Sequence, residues 1–292
     1  MSRLVRAELF KLRTTSVWWL FTLAVVVSTV VVFAVNAVQA HALLQPFDKY
    51  VLLQTHGHGA DHADFLSHLK DDWLLGHGAA TQAAELYTSG QLIGVLLACL
   101  LGIVLVTSEY HHQTATSTFL LTPRRTPVIR AKLLAAVIVA AAAWAVSTAI
   151  SLVAGAVFLQ SEGVGAQLGN GGVIRAVLLN LAAYTVWALF GIGFGALVRN
   201  QLAATVSATV LYLVGAAAAA TVFELLNTYV IASSWILSWQ VIVPAVASAV
   251  MISPTKLFTE SPAQWVGAAV LIGYGVALGW LGTRALLRRD IA

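Results

Sequence analysis

Long apolar runs alternate with short polar segments along this chain. Six runs have roughly the 20 residues that a helix needs to cross a bilayer core, and these spans are predicted at 17–38, 90–107, 133–159, 176–198, 202–222 and 263–283. The runs are continuous, which favours helices over a β-barrel with its alternating strands. The first run is too long for the apolar core of a signal peptide, so we expect it to be retained. The pattern therefore predicts an all-α membrane protein with six transmembrane helices.

A further apolar segment, at 229–252, is interrupted by serines and by Pro244. Cytoplasmic helix ends carry an excess of Lys and Arg, and six spans with an inward N-terminus place most of the 16 Lys and Arg residues inside. A seventh crossing would move Arg284 and Arg288 outside. The segment is therefore predicted to form re-entrant helices on the outer side, and a seventh span is the alternative.

These assignments define one transmembrane domain over residues 1–292, with an outer loop at 39–89 and an inner loop at 108–132. Both termini are predicted to be cytoplasmic, in a multi-pass protein of the plasma membrane. The composition, 59% hydrophobic and 10% charged, is outside the range of soluble domains. No nucleic-acid partner is predicted.

The predicted spans contain no charged residue near their middle, although ion-coupled carriers generally place ionisable groups at that depth. The chain also lacks the G-x-x-x-x-G-K-[ST] phosphate loop of nucleotide hydrolases. We therefore predict that the chain is not an enzyme and holds no cofactor of its own. Any uphill transport would draw its energy from a partner.

The N-terminal segment predicts an amphipathic helix in the inner headgroup layer, because arginines and aliphatic residues follow separate helical stripes. The polar residues assigned to this helix are Arg3, Arg6, Glu8, Lys11 and Arg13. Two interpretations remain open. The segment is either a plain basic anchor before the first span or a helix that also contacts a cytoplasmic subunit.

The inner loop predicts a short polar helix that ends at Pro123. Glu109 lies near its start, where the helix dipole favours a carboxylate that can accept hydrogen bonds from an arginine. A polar helix of about three turns has no lipid to bury against, so we expect its exposed face to contact protein. An ordinary solvated loop is the alternative.

Most of the eight histidines lie in the predicted outer loop among acidic residues. His58 and His62 would share a helix face, and with His56 they are candidate ligands for zinc or copper. Neighbouring glycines disfavour a helix there, and no His-Glu-x-x-His pattern occurs. A polar, pH-sensitive loop without a metal is the favoured interpretation. A metal-binding protein or membrane metalloenzyme is the alternative.

Three segments occur in a recognisable order: RAELFKLRTT at 6–15, then TSEY at 107–110 leading through TAT at 114–116 and TPRR at 122–125 to AKL at 131–133, and finally LLRRDI at 286–291. Together they resemble the membrane subunits of ABC-type exporters, in particular the type-2 permease family. The resemblance covers almost the whole chain. Residues 111–113 depart from the pattern, because members often carry an arginine and a glycine there.

The resemblance implies a permease half of an ATP-driven exporter, with re-entrant outer helices between the fifth and sixth spans. The N-terminal helix and the coupling loop would contact a separate ATPase subunit, which would bind ATP and Mg²⁺. The coupling residues carried over are Glu109, Tyr110, Thr114, Thr116, Pro123, Arg124 and Arg125.

A second permease subunit, identical or related, would complete the transport pathway implied by the resemblance. The pathway is expected at the interface of the two halves, lined by the second and fifth spans. Apolar walls would suit a hydrophobic or amphipathic cargo. A membrane scaffold that transports nothing is a further alternative.

Overall fold

The structure is a computed structural model that describes residues 2–55, 63–111, 125–198, 200–231, 233–258 and 260–288. These residues form helices and contain no strand. The α-helices are α1 (Ser2–Arg13), α2 (Val17–Leu43), α3 (Phe47–Gln54), α4 (Ala63–Gly76), α5 (Ala79–Tyr87), α6 (Gln91–His111), α7 (Arg125–Ser161), α8 (Gly171–Val198), α9 (Gln201–Leu226), α10 (Pro244–Ile252) and α11 (Gln264–Arg288). A π-helical turn, Asn227–Ile231, and a 3₁₀ helix, Ser234–Ile242, lie between α9 and α10.

Six helical segments of the described chain are long and apolar enough to cross a membrane, as the sequence predicts. They are Val17–Leu43, Ala79–Glu109, Thr126–Ser161, Gly171–Val198, Gln201–Val230 and Gln264–Ala285. This architecture suggests a membrane-embedded, all-α protein.

The second candidate span begins at Ala79, well before the predicted start near residue 90. Its first part is α5, which lies within the predicted outer loop. This helix carries Glu85, so the candidate span, unlike the predicted run 90–107, includes a charged residue near its start. The sequence AATQAAELY mixes polar and small residues, and its apolar character is too weak to be recognised as part of a span.

Helix α6 lies in the centre of the bundle and packs along α8. The two helices run parallel, because Gly102 lies beside Ala188 and Ile192, while Gly195 lies beside Ile103. A Cβ atom on Gly102 would overlap the Ala188 carbonyl, so glycine permits this close approach.

Helix α7 runs antiparallel to α6. Lys132 near its start contacts Leu105 and Glu109, whereas Gly155 near its other end lies against Tyr87. The bundle therefore has two ends, which we call the α1 end, where α6 finishes and α7 starts, and the α5 end, where the second candidate span starts. Helix α11 runs parallel to α8, since Gly275 faces Val186 and Gly282 faces Gly193.

The second candidate span is interrupted between α5 and α6, at residues 88–90. Two tyrosines from neighbouring helices bond the backbone near this break. The Tyr184 hydroxyl donates to the Gly90 carbonyl at 2.8 Å, and the Tyr212 hydroxyl donates to the Leu92 carbonyl at 2.7 Å. These bonds tie α8 and α9 to the interrupted span, and the Gly90 carbonyl also accepts from the Gly94 N–H at 2.9 Å.

The segment between α9 and α11 contains a sharply bent pair of helices. The 3₁₀ helix Ser234–Ile242 and α10 meet at 103°, with Pro244 at the first position of α10. Gln91 donates to the Ser248 carbonyl and hydroxyl at 2.9 and 2.8 Å, and Gln264 donates to the Ser253 carbonyl at 2.5 Å. By length and composition the pair is either a broken seventh span or a re-entrant loop.

The predicted coupling helix begins at Glu109, where the helix dipole would favour the carboxylate, but α6 continues through Glu109 to His111. Glu109 therefore lies near the end of a span and not at the start of a separate helix, so this part of the prediction is wrong. The rest of the predicted helix, at 112–123, lies outside the described part of the chain. Its flanks are described: α6 continues to His111, and α7 begins at Arg125. The predicted outer loop, 39–89, contains α3, α4 and α5 as well as the end of α2.

Candidate functional site: an ion-pair ring at the α1 end

Four charged side chains from three helices meet at the α1 end. Glu8 and Lys11 belong to α1, Glu109 lies near the end of α6, and Lys132 lies in the second turn of α7. The two carboxylates and two ammonium groups alternate in a closed circuit, which we call the ion-pair ring. It joins the N-terminal helix to both helices that flank residues 112–124.

The distances in the ring are those of hydrogen-bonded ion pairs. Lys11 Nζ donates to Glu8 Oε1 at 2.9 Å and to Glu109 Oε1 at 2.8 Å. Lys132 Nζ donates to Glu8 Oε2 at 2.9 Å and lies 2.8 Å from Glu109 Oε1. It also donates to the Leu105 carbonyl at 3.3 Å, which ties α7 to the last turns of α6.

Three members of the ring are shielded from solvent. The side chains of Glu8, Glu109 and Lys132 are 7%, 9% and 6% exposed, whereas that of Lys11 is 46% exposed. A buried charge without a partner is strongly unfavourable, but this arrangement sums to zero charge and gives each carboxylate two ammonium partners. The ring can therefore persist in a poorly hydrated place and fasten three helices together.

The pattern of α1 explains how Glu8 reaches the interior. Val5 and Glu8 are buried and Leu12 packs against the core, whereas Arg6 and Phe10 are exposed. These buried positions recur every three to four residues, so they form one face of the helix. Glu8 thus lies on the aliphatic face, which packs on α7 and α2.

Lys132 occupies the buried face of α7. Val128, Ala131, Ala135 and Ala136 around it are at most 2% exposed, whereas Arg130 is exposed. Lys132 is one of the basic residues predicted to be cytoplasmic, and it is not among the predicted site residues. The helical periodicity could have identified Lys132, because it lies on the same helix face as small and aliphatic residues.

Lys11 lies outside the candidate spans, at the more hydrated edge of the ring. Burial alone would lower its pKa, but the hydrogen bonds and negative charges of Glu109 and Glu8 outweigh that effect and raise the pKa above its ordinary value of 10.5. A raised lysine pKa means that the charged form is favoured in the folded protein. Lys11 therefore remains an ammonium partner of both carboxylates at neutral pH.

The other predicted site residues divide into two groups. Arg3, Arg6 and Arg13 are exposed on α1, around the ring. The coupling residues Thr114, Thr116, Pro123 and Arg124 lie outside the described residues, and for Tyr110 and Arg125 only the helical backbone is described.

The candidate metal ligands His56, His58 and His62 also lie outside the described residues. Within the described ranges, no group of three or more His, Cys, Asp or Glu side chains could hold a metal ion. Two described histidines have protein partners: His41 Nδ1 lies 2.8 Å from Glu162 Oε1, and His77 Nδ1 lies 3.0 Å from the Leu43 carbonyl.

Comparisons of this chain with protein-family models, with curated proteins and with solved structures find no match.

Proposed function

We propose that this chain is the permease half of an ATP-driven exporter and that the ion-pair ring couples it to an ATPase subunit. The observation that carries the proposal is the junction of α1, α6 and α7 in the ring. These are the N-terminal helix and the two helices that flank the proposed coupling loop. A subunit that pressed on α1 or on this loop would act on all three helices together.

The energetics of the ring favour such a transmission of force. Removing one partner from a buried ion pair typically costs about 3–5 kcal/mol, so the three helices resist being separated by small loads. Helix α6 in turn packs closely along α8 in the centre of the bundle. A displacement at the α1 end would therefore shift α6 against its neighbours and change the shape of the bundle at the α5 end.

We place the α1 end in the cytoplasm. Arg3, Arg6, Arg13 and Arg130 are exposed at this end, which agrees with the excess of basic residues on cytoplasmic flanks. Anionic lipid would attract the exposed arginines of α1 while its buried face remains on the bundle. ATP and Mg²⁺ would bind to the partner subunit.

We further propose that the bent helix pair is a re-entrant loop on the outer side. Ser248 of the pair and Ser253, which directly follows it, bond to Gln91 and Gln264, the first residues of α6 and α11 at the α5 end. Contacts of both serines with one end of the bundle favour a segment that enters and leaves on the same side. This interpretation keeps the end of α11 on the α1 side, with its basic residues.

A second permease subunit would cover the apolar faces of α2 and α9. About half of the side chains along these two helices are exposed and few are fully buried; the exposed ones include Val31 and Val35 on α2 and Leu211 and Val214 on α9. Lipid can cover such faces, but a pathway between two halves also requires exposed helix surfaces that meet. We assign the pathway to the fifth candidate span and to the α5 end of the second, where Leu92 is exposed and its carbonyl accepts from Tyr212.

Site-specific photo-crosslinking in cells tests the proposed partner. Phe10 on α1 and Trp265 on α11 are matched sites, because they are 67% and 69% exposed aromatic residues at opposite ends of the bundle. Each is replaced in turn by a photoreactive phenylalanine. We expect the site at residue 10 to capture a protein that carries a phosphate-loop motif, and the site at residue 265 to capture none.

Reconstitution with the captured ATPase tests coupling. The exposed Arg6→Glu variant should lower the stimulation of ATP hydrolysis without changing thermal stability, and Lys49→Glu near the other end of the bundle serves as the control. Absence of a phosphate-loop protein at residue 10, or equal stimulation by wild type and Arg6→Glu, would contradict the proposal.

A further inference from the structure

A cavity of about 510 Å³ lies near the α5 end, between α2, the interrupted second span, α9, the 3₁₀ helix and α10. This volume is within the range of small-molecule sites in proteins, about 300–1,000 Å³. Most of its wall is apolar, and Leu92, Leu213, Val246 and Phe258 contribute to it. The cavity is therefore suited to a molecule with a hydrophobic body.

Glu85 is the only charged residue among the described residues that line this cavity. It lies six residues into the candidate span Ala79–Glu109, or about 9 Å along the helix. Its side chain is partly buried, between Ala84 and Leu86, which are 1% and 0% exposed. The wall thus presents one carboxylate within an otherwise uncharged surface.

The Glu85 carboxylate has no hydrogen-bond or ion-pair partner in the described part of the chain. The more deeply buried carboxylates Glu8 and Glu109 are each held by two lysines. The Glu162 carboxylate, which is partly buried like that of Glu85, lies 2.8 Å from His41 Nδ1. A carboxylate that is withdrawn from water needs a proton or a cation to offset the loss of hydration. Because the cavity opens onto the Glu85 carboxylate, a ligand in the cavity can supply this cation.

The polar groups beside Glu85 have the matching character. Asn36 Nδ2 donates to Ser89 Oγ at 3.0 Å, and Ser89 Oγ donates to the Glu85 carbonyl at 3.0 Å. The amide nitrogen of Asn36 is thus engaged, and its carboxamide oxygen remains an acceptor. No Lys, Arg or His belongs to the described lining, so the polar part of the wall favours a positively charged group.

We propose that this cavity binds a hydrophobic organic cation, with Glu85 as its counter-ion. The inference deepens the proposed function by giving the exporter a class of cargo. The role of the cation as cargo rests on the proposed exporter function, whereas binding of the cation to the isolated chain does not. A cation that carries an apolar body would neutralise Glu85 and cover the aliphatic wall together.

The test measures binding to the purified chain without any ATPase, so its failure is distinct from failure of the exporter assignment. The probes are tetraphenylphosphonium and tetraphenylborate, which have the same shape and opposite charge. We expect the cation to bind saturably, and Glu85→Gln to weaken its binding by about tenfold or more, because this substitution removes the charge and keeps the size. Tetraphenylborate should bind to the wild-type chain no more tightly than to Glu85→Gln.

Two further variants complete the design. Glu224→Gln removes an exposed carboxylate from α9 outside the cavity, and we expect it to bind the cation like wild type. Ala216→Phe partly fills the cavity while Glu85 stays in place, and it should also weaken binding. This second variant keeps the proposal testable if Glu85→Gln does not fold.

Three results would overturn the proposal. The first is that wild type does not bind the cation. The second is equal binding of the cation and the anion. The third is unchanged binding of the cation by a folded Glu85→Gln or, where that variant does not fold, by Ala216→Phe.

Discussion

Glu109 and Glu85 belong to the same candidate span, near its two ends, yet only Glu109 has ion-pair partners in the described structure. At the α1 end, two lysines hold Glu109 and Glu8 at 2.8–2.9 Å. Near the α5 end, Glu85 lines a cavity. This difference in pairing indicates two different roles for a shielded carboxylate. Paired charges stabilise one arrangement of helices, whereas an unpaired charge remains available to a ligand.

The largest effect should come from removing the most deeply buried cation of the ring. Lys132→Met keeps the length of the side chain and leaves two shielded carboxylates with Lys11 alone. We expect a loss of about 3–5 kcal/mol in the free energy of unfolding, measured by chemical unfolding in mixed micelles. Arg130→Met, on the exposed face of the same helix, is the control and should change stability by no more than about 0.5 kcal/mol. Equal effects of the two substitutions would mean that the ring contributes little.

An intermediate effect is expected at the α5 end, where neutral hydrogen bonds replace ion pairs. Gln91→Ala removes the buried bonds from α6 to Ser248 of α10. The loss should be about 1–3 kcal/mol, because Ser248 is 1% exposed and would be left with unsatisfied polar atoms. The same unfolding assay measures the loss. Since α10 forms part of the cavity wall, binding of tetraphenylphosphonium should weaken as well. Unchanged stability would show that α10 is held by other contacts.

A small effect is expected for Lys11, although it has the same two carboxylate partners as Lys132. Its side chain is 46% exposed, so solvent screens its interactions, and Lys11→Met should cost about 1 kcal/mol or less. Its pKa is raised by the carboxylates despite the opposing effect of burial. The contribution of Lys11 to the free energy of unfolding is therefore fully present below its unfolded-state pKa of 10.5. This contribution is lost only as the pH rises through the higher folded-state pKa. The stability difference between wild type and Lys11→Met should hence stay constant from neutral pH to about pH 10. A difference that declines near neutral pH would contradict this assignment.

The six candidate spans could be predicted because each requires only one local property, a long uncharged run. The start of the second span could not be placed in this way. Residues 79–87 contain Gln82 and Glu85, and their burial depends on α7 and α8, which come later in the chain. For the same reason the sequence did not indicate that Glu85 belongs to a span.

The ring was partly accessible from the sequence. Glu8, Lys11 and Glu109 were assigned to the contact region, but their mutual contact was not predicted. In the ring, Lys11 contacts Glu109 across 98 positions of the sequence, and Glu8 contacts Lys132 across 124. No local sequence pattern encodes such distant pairings. The burial of Lys132 could be inferred locally, because Lys132 shares a helix face with buried small and aliphatic residues. The residue also fits the excess of basic residues at cytoplasmic helix ends, which gives it a simpler explanation.

The sharpest measurement replaces each of the two carboxylates by the same residue. Glu85→Gln and Glu109→Gln are compared by chemical unfolding in the same mixed micelles, without added ligand. Glu109→Gln should lower the free energy of unfolding by about 1.5–3 kcal/mol, because it removes charged hydrogen bonds. Glu85→Gln should change it by no more than about 0.5 kcal/mol, because no described partner is lost. Equal losses at both positions, or a larger loss at Glu85, would contradict the division between a structural ring at one end and an unpaired carboxylate at the other.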